Sequence, residues 1–318
     1  MSKKENLSIE QEECIVELYK KGKEIANARK KPLVLMFYTS GDGGGIDEND
    51  LYELETKLDE KLGEQEVSQM DVCIQTTGGD ANTSYLLAQL IRKYCSSMEI
   101  LIPNYAYSGG TLISLSSDKI LLGDTARISP IDLQLSYNSE KIAPFALVDI
   151  EKYTDFIIDT AKKIDFESDE AKTQFITPLV GKLVEEHGTK KLGELFRMRK
   201  LTELHARILL TDYMFKNCSE KKRRIDRVIR GLTSESPAHD FDIDYNMAKK
   251  VICLNIETMD RNLYKLTRQL TSICDKAKDL GLICNFINTD RKPFFEVFMP
   301  EETQMEVKDG QKKEVTRG

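Results

Sequence analysis

The chain has 318 residues, a formal net charge of −7, 40% hydrophobic and 31% charged residues. This composition reads as soluble and globular and excludes a wholly disordered chain. The acidic balance gives no electrostatic reason to expect nucleic acid or an anionic membrane as main partner. No apolar run reaches the roughly 20 residues of a membrane span. The N-terminus lacks the apolar core of a secretory signal. Seven scattered cysteines without a C-x-x-C pair, beside three histidines, fit reduced thiols in a cytoplasm and argue against structural zinc.

Residues 8–29 carry helical spacing, with Ile15, Leu18, Tyr19 and Ile25 on one face. The apolar run "PLVLMFY" (32–38) predicts a buried strand, and "TSGDGGGIDEND" a loop. Asp47 or Asn49 can cap the helix that follows, "DLYELETKLDEKL". "MDVCIQT" (70–76) is a second strand, leading through "TGGD" to a helix with Leu87, Leu90, Ile91 and Tyr94 inward. "MEILIP" (98–103) is a third strand, Ser108 opens a short helix, and "KILLG" (119–123) is a fourth strand. Four alternations over about 95 residues predict an α/β core with largely parallel strands. From about 146 to 232 the spacing is helical. "VICLNI" (251–256) is a candidate late strand and 258–280 an amphipathic helix. "LICNFIN" and "FFEVFM" read as strands of a small appended unit, and the polar tail from Glu301 as disordered.

Five places carry candidate chemistry. Ser108, in "NYAYSGGTLIS", follows a strand and precedes two glycines and a helix, which resembles a nucleophile elbow with Ala106 where that pattern has glycine. A loop serine or a helix N-cap meets the same pattern. In "TTGGD", Gly78 and Gly79 sit between a strand and a helix start, where N–H groups can take a phosphate or an oxyanion; a plain turn uses glycine there too. "GDGGG" (41–45) lacks the lysine of a phosphate loop and reads as a flexible loop. Asp132 in "ARISPIDLQL" is flanked by apolar residues, which suggests a semi-buried charge in need of a partner; an ordinary turn or cap role fits the same pattern. His187 and His205 fall in helical pattern, whereas His239 lies in the proline-bearing loop "SESPAHDFDID", the kind of place functional residues occupy. The basic run "KKRRIDRVIR" (221–230) reads as a solvated helix face.

Taken in order, "TTGGD", "AYSGGT", "KILLGDTARISPID" and "SPAHDFDID" resemble the serine dehydrogenase proteinase family. That family lies within the Clp-protease/crotonase-fold superfamily, near the signal peptide peptidase A-like enzymes. The resemblance runs from about residue 32 to 256 and is most specific over 70–135. It implies an α/β spiral of ββα units with a helical extension and a small C-terminal appendage. The corresponding division is an N-terminal helix (1–31), the peptidase domain (32–256), the appendage (257–300) and a disordered tail (301–318).

The resemblance further implies a serine peptidase acting on a peptide or protein substrate. Ser108 would be nucleophile, Asp132 the orienting acid and His239 the general base, with the Gly78, Gly79 and Gly109 amides forming the oxyanion hole. Such a triad meets the need of a serine hydroxyl for an oriented base. No metal or cofactor is needed. Self-association through the helical region is implied, and a protein activator would explain gating of a cytoplasmic protease. The chain departs from its relatives at Thr77, where proline is common, and in lacking a histidine between residues 109 and 186, where Clp protease takes its base. Peptidase A-like relatives use a Ser–Lys dyad, which makes Lys141 a rival base once desolvated. Two rival readings remain: a crotonase-like acyl-CoA enzyme, which would use carboxylates and not need Ser108, and a catalytically silent interaction module of the same fold.

Overall fold

A computed structural model describes residues 7–38, 45–131, 134–135, 145–238, 240–282 and 294–301. In chain order the elements are α1 (Ile9–Arg29), β1 (Leu33–Phe37), α2 (Asn49–Leu62), β2 (Val67–Gln75), α3 (Ala81–Lys93) and β3 (Cys95–Ile102). Next come β4 (Tyr105–Ala106), α4 (Gly109–Ser114), β5 (Lys119–Leu122), β6 (Arg127–Ile128), β7 (Gln134–Leu135) and β8 (Phe145–Ala146). The helices α5 (Leu147–Lys163), α6 (Asp169–His187), α7 (Thr189–Leu209) and α8 (Lys221–Leu232) follow, then β9 (Ile256–Thr258), α9 (Arg261–Asp279) and β10 (Phe294–Phe298). Short π-helical turns occupy Leu210–Met214 and Met247–Ile252. The chain divides into two compact units, Met1–Arg127 with Asn255–Gly318, and Ile128–Leu254.

The first unit is built on a six-stranded sheet in the order β10-β1-β2-β3-β5-β9. The pairs β1–β2, β2–β3, β3–β5 and β5–β9 are parallel, as the alternating pattern predicts, and β10 runs antiparallel to β1. Every residue of β1 is buried, the signature of a strand covered on both faces. Leu33, Leu35, Phe37, Cys73, Leu101 and Leu121 pack on one face against Leu18 and Ile25 of α1 and Leu266, Leu270 and Cys274 of α9. The α1 helix starts where Ser8 and Gln11 form a reciprocal capping box, which satisfies two end groups at once. Its buried stripe is Cys14, Leu18, Gly22, Ile25 and Ala26. Tyr19, expected inward, is 37% exposed and gives its hydroxyl to Glu296.

Two readings of the C-terminal region change. The candidate strand over 251–256 is instead the end of a π-helical turn, closed by Cys253 at φ 72, with the strand beginning only at Ile256. The elements read as an appendage belong to the first unit: α9 covers the sheet and β10 completes it at β1. Local periodicity cannot see this, because which edge a strand joins is a long-range pairing. "LICNFIN" falls almost wholly outside the described residues.

An ionic cluster ties the end of α1 to facing residues in the middle of β2 and β3. Asp71, 1% exposed, accepts Arg29 Nε at 2.6 Å and lies 2.8 Å from Lys31 Nζ, while Lys31 also bonds Glu99 at 2.7 Å. Burial alone would raise the Glu99 carboxyl, but Lys31 and Arg29 outweigh it and hold it below its ordinary value.

The second unit is largely helical, as the spacing predicts. Leu195, Ala206 and Leu209 of α7 and Ile225, Val228 and Leu232 of α8 are buried. The basic face of α8 is turned outward in part, but Arg224 and Arg227 bond the carbonyls of Cys253 and Val251 at 3.1 and 2.7 Å. Among the described residues no helix is long and apolar enough to cross a membrane.

Candidate active site

Beyond β2 the chain crosses Thr76–Asp80 before α3 begins. Asp80 caps that helix, its Oδ1 accepting the Thr83 N–H at 2.7 Å and hydroxyl at 2.8 Å. Between them Gly78 and Gly79 take φ of +105 and +152. Glycine is needed here for contact as well as for conformation. A Cβ on Gly78 would stand 2.7 Å from Ser108 Cβ, and one on Gly79 only 2.2 Å from Ile46 N. The glycine pair is therefore wedged between the Ser108 turn and a strap at Ile46.

The Ser108 turn is held from the same side. β4 lies along Thr76 through a parallel bridge, and the Tyr107 N–H donates to the Thr76 carbonyl at 2.9 Å. Ser108 then takes φ 47 and ψ −107, a conformation that costs a non-glycine residue about 1–3 kcal/mol. It occupies the position before the first turn of α4, yet its side chain makes no capping hydrogen bond. The residue is half-buried. The two glycines after it sit where a Cβ would meet Ser84 Oγ at 2.3 Å and Thr76 Cγ2 at 2.4 Å. The sequence "SGG" is thus what lets α4 start hard against the "TTGGD" segment.

The amides around this hydroxyl are unequally engaged. The Gly78 N–H donates to Thr76 Oγ1 at 3.0 Å, and the Gly110 N–H to the Tyr107 carbonyl at 2.8 Å. Among the described residues, the N–H groups of Gly79 and Gly109 have no acceptor. A Cβ on Gly109 would lie 3.4 Å from Gly79 N, so the two open donors belong to touching segments. Two such donors beside a hydroxyl can stabilise a developing oxyanion.

In the second unit, Ile128 and Ile243 exchange backbone hydrogen bonds at 3.1 and 2.9 Å, and the Ile131 N–H donates to the Leu232 carbonyl at 2.9 Å. The chain just before residue 132 is thereby tied to both flanks of the loop that carries residue 239. Asp132, Lys141 and His239 themselves lie outside the described residues. His205, read as structural or exposed, is buried on α7. The six cysteines among the described residues are free thiols.

Residues 63–205 match the family model of the ClpP-like SDH-type serine proteinases. The match spans under half of the chain. The SDH-type match contains both glycine segments and Ser108, in agreement with the motifs that carry the resemblance. Two uncharacterized proteins of Methanocaldococcus jannaschii are similar. One is 36% identical over 66 residues, 21% of this chain and 23% of the relative. The other is 31% identical over 137 residues, 42% and 44% respectively. The chain thus spans less than half the length of each of these relatives. Among solved structures, a ClpP1 mutant from Listeria monocytogenes aligns with a TM-score of 0.37 and 12% identity, over 73% of this chain and 94% of that one.

The sequence reading overlooked the strap. Ile46 lies parallel to Gly79, its N–H donating to the Gly78 carbonyl at 2.8 Å and its carbonyl accepting the Asp80 N–H at 2.9 Å. Its anchor is Asp50, which had one legible signal: it stands in line with Leu54, Leu58 and Leu62, all buried on α2. A carboxylate heading an apolar i, i+4 stripe has been placed indoors and needs donors.

Proposed function

We propose that this protein is a serine peptidase with Ser108 as nucleophile. The observation that carries the proposal is the serine on a strained backbone turn beside two amides, Gly79 and Gly109, that have no acceptor among the described residues. Attack on a peptide carbonyl moves charge onto its oxygen, and these two N–H groups are the donors available to receive it. Gly78, whose own amide is engaged with Thr76, leaves room for the Ser108 turn to pack against the glycine pair. His239 accepts the Ser108 proton and returns it to the leaving amine, and Asp132 orients the imidazole. Support for pairing these two residues comes from the backbone bonds that tie 128–131 to Leu232 and Ile243. Lys141 is the competing base.

The substrate class is peptide or protein. Exposed Phe156, Phe196 and Leu204, at 65%, 55% and 52%, support self-association through the helical region, since large apolar groups at a surface favour partners.

A fluorophosphonate probe tests the assignment. Wild-type protein is expected to be labelled, and labelling to vanish in Ser108→Ala. Loss in His239→Ala with retention in Lys141→Ala selects the histidine; the converse selects the dyad. A folded wild-type protein that resists labelling overturns the peptidase reading in favour of a silent module.

A further inference from the structure

Asp50 is a buried carboxylate that the proposed chemistry does not use. It is 1% exposed, and one of its oxygens, Oδ2, accepts both the Tyr38 hydroxyl and the Asp47 N–H, each at 2.9 Å. Tyr38, also 1% exposed, follows the end of β1, and its N–H donates to the Gln75 carbonyl at 2.9 Å where β2 ends. One carboxylate oxygen in the first turn of α2 therefore joins the end of β1 to Asp47, just ahead of that helix. Asp47 is the neighbour of Ile46, and Ile46 is the residue bonded to both sides of Gly79. The Ile46 side chain, 3% exposed, also reaches to within 3.2 Å of a Cβ placed on Gly109. The strap so held touches both glycines whose amides are open.

We infer that Asp50 is a positioning residue, which acts through the Asp47 amide and Tyr38 to set the Ile46 strap and, through it, the Gly79 peptide. That the peptide serves an oxyanion rests on the peptidase reading above; that Asp50 sets it does not. The physical need is clear from the geometry. At φ +152 the Gly79 peptide has no side chain to lock it, so its direction is decided by the backbone bonded alongside. A donor misaimed by a fraction of an ångström loses much of its effect on an oxyanion. The requirement is for an acceptor oxygen at the Oδ2 position, which an amide carbonyl also supplies.

The test compares Asp50→Leu with Asp50→Asn in the full chain, by two readouts. Hydrogen exchange of peptides spanning 76–84 reports the Asp80 N–H, whose acceptor is the Ile46 carbonyl. The rate of Ser108 labelling by the fluorophosphonate reports the donors. Asp50→Leu is expected to lose protection of the Asp80 amide and to label at least about tenfold more slowly. Asp50→Asn is expected to rescue both, labelling within about threefold of wild type. If Asp50→Leu does not fold, Tyr38→Phe, which removes a single hydroxyl, is expected to raise exchange and slow labelling in the same direction. Should Asp50→Leu, or Tyr38→Phe in its place, exchange and label as wild type does, the proposal fails. It fails equally if protection is lost while labelling is untouched, or if Asp50→Asn behaves like Asp50→Leu. A wild-type protein that never labels sinks the peptidase reading, and the exchange comparison then decides the strap alone.

Discussion

Asp50→Asn should make the protein more stable near neutral pH while leaving the Ile46 strap in place. Burial pushes the Asp50 carboxyl up from 3.8 to about 6; the carboxylates of Asp47 and Glu53 add to this, and the Asp47 N–H and Tyr38 hydroxyl oppose it. Between those two values the folded protein holds a proton that the unfolded chain has released. Stability is therefore complete below about pH 4 and falls as pH rises toward 6, because ionising Asp50 inside the fold is unfavourable. The two values lie roughly two pH units apart, and each unit corresponds to about 1.4 kcal/mol, so the ionised side chain costs about 3 kcal/mol at pH 7.5. Asparagine has no charge to desolvate. Because both donors meet the same oxygen, the amide carbonyl can keep them. The expected result is a gain of about 2–3 kcal/mol for Asp50→Asn at pH 7.5, shrinking to near zero at pH 4. Urea unfolding followed by circular dichroism at the two pH values measures both quantities. An Asn variant less stable than wild type at pH 7.5, or one with the same advantage at both pH values, would refute the reasoning.

Three further outcomes follow from the same geometry. Ser108→Gly should remove labelling yet raise stability by about 1 kcal/mol, since glycine relieves the strained turn at a smaller entropic cost; a lower urea midpoint would contradict the strain. Gly79→Ala should cost about 2–4 kcal/mol, because the 2.2 Å approach to Ile46 N is to backbone that cannot swing aside; wild-type stability in that variant would mean the strap is not seated there. Asp71→Ala should cost about 3 kcal/mol by leaving Arg29 and Lys31 without their buried partner, and added salt should change this little, buried pairs being poorly screened. A loss that disappears in 1 M salt would show the cluster to be solvent-exposed instead.

Much of the fold was written locally. The run "PLVLMFY", the strand before "TTGGD" and the apolar stripe of α3 declare themselves because a strand buried on both faces has no polar alternation, and a helix repeats its apolar face every three to four residues. The motif order also placed Ser108 and the glycine pairs, since a chain that must turn sharply beside its own backbone has few residue types to use.

Three features were not legible, and each depends on segments far apart in the chain. Nothing in "FFEVFM" says that it pairs with β1, nor in residues 261–279 that they cover the same sheet face as α1; those partners are chosen by which apolar surface remains open once the parallel strands have assembled. Nothing in "TTGGD" distinguishes Gly78, whose amide Thr76 takes, from Gly79, whose amide stays open, because that depends on where Ser108 and Ile46 press on the turn. The sequence by itself determined most of the longer elements and the residue types at the candidate site, through rules that act over a few neighbours. Only the tertiary structure decided which donors are open and which carboxylate holds the strap, because hydrogen bonds are allotted by distance in space and not by separation along the chain.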